Sequence, residues 1–244
     1  MNDAAAPASG RPGFPGGTAV SGLSVYRQAA PDGLCGGSPH VHLACTESYL
    51  VVGGEGELHT LTATGALRTP LRAGTVAWFG PGTIHRAVNR DGALRAVVLM
   101  DNSGLPEAGD AVLTFPPEIL ADPEAYQHAA TARDEAQALR RRDLAVTGYL
   151  RLAEAVAAGE HGVLAEFYRT AVALRADRFE AWESVWRGGA LAAAQRTAGH
   201  LAALRAGRIE HLLGAGLGVE TEGAPEARAF GMCGRLDRYT MKAP

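Results

Sequence analysis

The chain has 244 residues, 47% of them hydrophobic and 20% charged, with a formal net charge of −3. That composition is globular and the length is ample to bury a core without staples. The near-neutral charge argues against bulk electrostatic binding to nucleic acid or to an anionic membrane surface. Three cysteines, Cys35, Cys45 and Cys233, make no disulfide framework and fit reduced thiols in a cytoplasm. The wholly apolar stretches are too short for a membrane span, and the N-terminus lacks the basic-then-apolar layout of a secretory signal. Lys242 is the only lysine beside many arginines and alanines, the mark of a GC-rich bacterial genome.

Residues 1–17 are mostly small residues, Gly and Pro. Such a segment buries too little apolar area to offset its ordering entropy and is expected to be flexible. Residues 18–115 have a β texture. Short apolar runs at 25–27, 41–43, 49–52, 57–62, 75–79 and 96–100 alternate with Gly-rich turns such as Gly53-Gly54-Glu55-Gly56 and Gly80-Pro81-Gly82, which predicts a sandwich or barrel. From Pro116 the charged residues become denser and interleave with Ala and Leu, the pattern of solvated helix faces. Leu139, Val146, Leu150 and Ala153 form one helical stripe. Leu164, Phe167, Tyr168, Ala171 and Leu174 form a second. Phe179, Trp182, Trp186, Ala190, Ala193, Thr197 and Leu204 form a third. Three or four helices over 116–213, broken near Gly159 and Ala176-Asp177, are predicted. The Gly-rich end, 214–244, is expected to be a mostly irregular tail. The fold class is therefore α+β, a β domain followed by helices.

The residues with chemistry in them are His40, His42 and Glu47, then His85 after the Gly-Pro-Gly corner. On a strand, His40 and His42 share one face, roughly 6–7 Å apart along the chain. Glu47 has the opposite parity, so a turn or strand change must fall around Ala44–Thr46 for it to reach the same pocket. A Gly-Pro-Gly corner fixes a tight turn and presents His85 at the start of another strand. Three imidazoles and one carboxylate make a mixed N/O set suited to one divalent transition metal, Fe, Mn, Ni, Zn or Cu. Tyr49 has the parity of Glu47. Trp78 and Phe79 are adjacent, so only one of them can face inward. Other groups have blander readings. His59 reads as surface or hairpin, and His128, His161, His200 and His211 as solvated helix surface. Arg140-Arg141-Arg142 reads as a solvated face. Cys45 reads as a structural thiol, and Cys35 and Cys233 as structural or incidental. The Phe179/Trp182/Trp186 stripe reads as packing onto the β domain or onto a second subunit.

The spacing of these residues resembles that of the cupin superfamily. The first motif of that family is matched by His40-x-His42, four residues, Glu47, six residues, Gly54. The second is matched by Gly74, five residues, Gly80-Pro81-Gly82, two residues, His85, three residues, Asn89, with Gly80 in place of a Pro. The Gly that usually precedes His-x-His by five residues is displaced, since position 34 is Leu. The resemblance covers about residues 22–115 and says nothing of 116–244. It implies a small jelly-roll barrel with His40, His42, Glu47 and His85 holding a metal. It also implies a homodimer, because relatives are often dimers.

The resemblance implies a metal-dependent enzyme acting on a small organic molecule. An oxygenase is the first reading, with Glu47 and Tyr49 as catalytic groups and Tyr49, Trp78 and Asn89 along the substrate pocket. A non-redox isomerase, epimerase, lyase or cyclase uses the same ligand set as a Lewis-acid site. A third reading is a non-catalytic small-molecule sensor. The even charge of 116–244 and the lack of a basic recognition helix argue against a nucleic-acid partner.

Overall fold

The computed structural model describes residues 13–160, 162–221 and 228–239. His161 and most of the expected flexible N-terminal segment lie outside the described residues. Among the described residues the β texture of 18–115 becomes nine strands, and the far end of the chain adds two more: β1 (Ala19–Val25), β2 (His40–His42), β3 (Glu47–Gly53), β4 (Glu55–Thr62), β5 (Gly65–Arg72), β6 (Val76–Phe79), β7 (Ile84–Asn89), β8 (Arg95–Met100), β9 (Ala111–Leu113), then β10 (Ala229–Phe230) and β11 (Gly234–Arg238). They form two antiparallel sheets. The first runs β10-β11-β1-β8-β3-β6 and the second β5-β4-β7-β2-β9. Tyr49, Phe79 and Val98 of the first sheet share one core with Leu58, Leu71 and Ala87 of the second, so the sheets pack face to face.

The helical half follows. Its elements are α1 (Pro117–Leu120), α2 (Pro123–Ala130), α3 (Glu135–Ala157), α4 (Gly162–Ala173), α5 (Phe179–Trp186), α6 (Ala192–Arg205) and α7 (Glu210–Leu213). The expected breaks occur: Gly159, at φ +84°, follows α3, and a single turn at Ala176–Arg178 precedes α5. Asp134 caps α3 by accepting from Gln137 N at 2.8 Å, which satisfies one orphan donor of the first turn.

Alternation explains how the two halves join. With His40, His42 and His85 on the inner face of the second sheet, Val41 and Ile84 fall on its outer face. There they pack with Leu61 and Val112 against Tyr126, Tyr149, Leu152, Leu164 and Phe167 of the helices. At Gly148 the approach of α3 is close: a Cβ there would lie 2.0 Å from Thr114 O. The β7-β2-β9 part of the second sheet is thus buried on both sides, with every residue of β2, β7 and β9 buried, whereas the edge strand β5 is mostly exposed.

Several expectations change. The α3 stripe is rotated: Ala138, Ala145, Val146, Tyr149, Leu152 and Val156 are buried, whereas Leu150 is exposed. Arg141 and Arg142 are not a solvated face. Arg142 is buried and donates to Gln28 O and Ala29 O at 2.6 and 2.8 Å, and Arg141 donates to Gly231 O at 2.6 Å. These guanidinium groups satisfy carbonyls of loops that have no ladder partner. His59 is buried rather than surface, with Nε2 2.7 Å from Glu57 Oε2, on the outer face of the second sheet opposite Arg86. Of the aromatic stripe only Trp182 is buried, and α6 buries no residue. The Gly-rich end carries a hairpin that the sequence pattern did not announce. Its β11 pairs with β1 from Ser21↔Arg238 to Val25↔Gly234.

Candidate metal centre

His40 and His85 are directly opposed on β2 and β7, so their side chains project from one face and their rings lie 4.2 Å apart. His42, two residues along β2, has its ring 5.2 Å from that of His40. Between His42 and Glu47 the chain leaves the second sheet and enters the first, which is the strand change that the parity of Glu47 demanded. The result is one cluster: a ligand atom from each of His40, His42, Glu47 and His85 lies within 4.8 Å of the others, and all four residues are buried. Glu47 Oε2 lies 3.2 Å from His42 Nε2 and 3.0 Å from His85 Nε2.

Each imidazole is oriented from behind. His40 Nδ1 donates to Ser38 O at 2.9 Å, His85 Nδ1 to Thr83 O at 3.0 Å, and His42 Nδ1 to Asp110 Oδ1 at 2.7 Å. A carbonyl or carboxylate at Nδ1 fixes the tautomer and leaves Nε2 as the free ligand atom. Asp110 is wholly buried and also accepts from Cys45 N through Oδ2 at 3.1 Å. Sequence reasoning missed Asp110. The available signal is an acid placed directly before the apolar run Ala111-Val112-Leu113.

The charges are those of a closed polar site. Burial and the neighbouring His85 and His42 hold His40 well below the ordinary imidazole range. Burial would also lower His42, but Asp110 and Glu47 outweigh it and push its pKa up to about 10. Burial would raise Glu47, yet the imidazoles of His85 and His42 hold its carboxyl well below the usual range. Glu47 Oε2 and His85 Nε2 are buried with no well-formed hydrogen bond. A carboxylate oxygen and an imidazole nitrogen left orphaned in the interior are costly in themselves, and a divalent cation between them satisfies both. The donor set and its supporting acceptors fit a transition metal.

The turns of both motifs are where the spacing puts them. Gly54 has φ +74° and a Cβ there would lie 2.3 Å from Ala93 C, so only glycine fits. Gly82, at φ +83°, donates its N–H to His42 O at 3.0 Å, tying the corner before His85 to the strand of the other two imidazoles. Gly80 has open space around it, so no close contact demands glycine there, and what the replacement of the motif's Pro gives up is the fixed φ of the pyrrolidine ring.

The remaining candidates separate. Tyr49 is buried inside, its ring 6.4 Å from that of His85, and its hydroxyl donates to Cys233 Sγ at 3.6 Å. Burial pushes the Cys233 thiol up to about 11 and raises Cys45 above its ordinary value too, so both are protonated thiols, not poised nucleophiles. Trp78 is 71% exposed on the outer face of the first sheet. Phe79 takes the inner position instead, because it pairs directly with Glu47 across β3 and β6, and its ring is 4.1 Å from that of His85. Asn89 does not line the centre either. Its Nδ2 donates to Val25 O at 3.1 Å and its Oδ1 accepts from Leu94 N at 3.2 Å, so it joins the two sheets. His128 and His200 are exposed, the ring of His211 stacks on that of His200 at 4.4 Å, and none of the three belongs to the cluster.

Two face-to-face antiparallel sheets around a buried three-His, one-Glu cluster define a cupin-like fold with a metal-ligand centre. No protein-family model matches the chain, and no curated protein matches it. Among solved structures it is similar to a protein with a double-stranded β-helix domain from Klebsiella pneumoniae, 26% identical over 34% of this chain and 64% of that one, with a TM-score of 0.26. It is also similar to an oxalate oxidase, 22% identical over 36% of this chain and 51% of that one, TM-score 0.27. A third is a sugar 3,4-ketoisomerase from Thermoanaerobacterium thermosaccharolyticum, 11% identical over 38% of this chain and 86% of that one, TM-score 0.29. The match with the first of these spans less than two thirds of its length. TM-scores this low leave the functional reading to rest on the chain's own residues. No described helix is long and apolar enough to cross a membrane.

Proposed function

We propose that the chain is a metal-dependent cupin enzyme, an oxygenase acting on a small organic molecule. In this reading the two sheets close as a jelly roll over about residues 18–115, completed by the hairpin at 229–238, with 116–213 as a helical region packed on it. The observation that carries the reading is the orientation of the three imidazoles. Each Nδ1 is held by an acceptor outside the cluster, which turns the three imidazoles toward the Glu47 carboxylate, and Glu47 Oε2 and His85 Nε2 are left buried without a hydrogen-bond partner.

His40, His42, Glu47 and His85 would hold one divalent transition metal, Fe, Mn, Ni, Zn or Cu. Bound there, the metal supplies a Lewis acid and, where it is redox-active, a one-electron couple. The protein's own residues do the rest. Glu47, ionised and carried by the other sheet, is the one carboxylate in the cluster and the group placed to hold or take a proton. Phe79 and the ring of Tyr49 form an apolar wall beside His85, which suits a partly apolar substrate and excludes water. The Tyr49 hydroxyl, held by Cys233, fixes the angle of that wall. The helices shape the same end: Tyr168 donates to Gly82 O at 2.7 Å, and Trp182 packs on Cys45 and Leu105. A homodimer is supported by the outer face of the first sheet, where Val52, Val76 and Trp78 are exposed.

Elemental analysis of the purified protein, followed by oxygen-electrode assays against enolisable and phenolic small molecules, tests the reading. A stoichiometric transition metal with substrate-dependent oxygen uptake is expected. Turnover on bound zinc with no oxygen uptake would assign the centre to isomerase or lyase chemistry instead. A protein that takes up no metal at all would overturn the enzyme reading.

A further inference from the structure

A cleft with a volume of about 830 Å³ lies between α2, the 131–134 turn and the first half of α3. None of the four metal-ligand residues lines it. Arg133, Arg140 and Arg141 line it against a single acid, Glu124, with Pro123 and Leu144 as apolar walls. Its shape is fixed by capping. Gln137 N donates to Asp134 Oδ1 at 2.8 Å, Arg133 N to Gln137 Oε1 at 2.9 Å, and Thr131 Oγ1 to Gln127 O at 2.8 Å.

The electrostatics of this cleft are unbalanced. Neither Arg133 nor Arg140 has an ion-pair partner among the described residues. Arg141 is only 7% exposed, and its terminal nitrogens donate to Ala130 O, Phe230 O and Gly231 O. Its Nε–H is buried with no partner. A buried cation with no counter-ion is expensive, and two more guanidinium groups at the same concavity add like-charge repulsion. An anion in the cleft relieves both terms. Guanidinium is the side chain whose planar donors match carboxylate and phosphate oxygens.

We propose that this cleft is a binding site for a small organic oxyanion, a carboxylate or phosphate on an apolar body, held by Arg133, Arg140 and Arg141. Calorimetric titration of the full-length protein with phenyl phosphate, benzoate and inorganic phosphate tests it. Saturable binding of phenyl phosphate or benzoate, each tighter than inorganic phosphate, is expected. The tighter of the two organic probes identifies the headgroup. The Arg133→Gln/Arg140→Gln double variant removes no ion pair and spares Arg141, which anchors the C-terminal hairpin. It is expected to weaken binding at least about tenfold, the size of one lost charge-assisted hydrogen bond, at unchanged metal content and melting temperature. No saturable binding of any probe overturns the proposal. So does a double variant that binds as tightly as the parent, since the anion would then sit elsewhere, the metal centre included.

Discussion

The two sheets present the same kind of inner face and opposite kinds of outer face. The second sheet is covered by helices, so β2 and β7 are buried at every position. Over β3 and β6 the first sheet is covered on its inner side only, while segments 13–15 and 216–220 border the outer face of β1 and β8. Along β3 and β6 buried positions alternate with partly or fully exposed ones, ending in Val52 and Trp78 at the surface. Three of the four ligands hang on the doubly covered sheet, and the fourth, Glu47, comes from the other. The helical half therefore acts on the metal centre without contributing a ligand. It immobilises the strands that carry the imidazoles, which is what a centre needs to hold its geometry to a fraction of an ångström.

Changes to the ligands themselves have the largest expected effect. His42→Ala and Glu47→Ala should each bring metal content to background by elemental analysis, with the far-ultraviolet circular dichroism of the parent retained. Full metal in both variants would dissolve the centre. Next comes the helical cover. Phe167 is 4% exposed in the core that joins α4 to the second sheet, and Phe167→Ala should cost about 3–5 kcal/mol in urea unfolding. A loss well under that would mean the helices are a detachable layer. Asp110→Asn follows. It replaces the carboxylate behind His42 Nδ1 with a neutral group, and it should weaken metal affinity about 10–100-fold in a chelator competition.

The ligand set was legible in the sequence because the spacing of histidines, acid and glycines is local. Gly54 and Gly82 sit at turns that only glycine or a near equivalent adopts, and such turns leave a direct mark on the chain. The helix breaks at Gly159 and Ala176-Asp177 were legible for the same reason. What stayed hidden depends on contacts distant along the chain. The choice between Trp78 and Phe79 rests on the register Glu47↔Phe79, which no parity count within one strand supplies. Asp110 precedes a strand of three residues, too short to show a period. The hairpin at 229–238 pairs with β1 from the opposite end of the chain. Arg141 and Arg142 look like surface because their partners are backbone carbonyls of remote loops.

The smallest expected effect is the sharpest check on the comparison between the sheets. Trp78 pairs across strands with Ser48, and Val76 with Leu50, on a face that continues to Val97 and Leu99 of β8. At 71% exposure Trp78 has little buried area to lose within one chain. Trp78→Ser should leave unfolding at low protein concentration within about 0.5 kcal/mol of the parent. If two chains meet on this face, the same change should move the sedimentation coefficient toward that of a monomer, because aromatic anchors dominate such interfaces. A cost at low concentration as large as that of Phe167→Ala would show that the outer face of the first sheet is covered within the single chain, and the contrast between the two sheets would then fail.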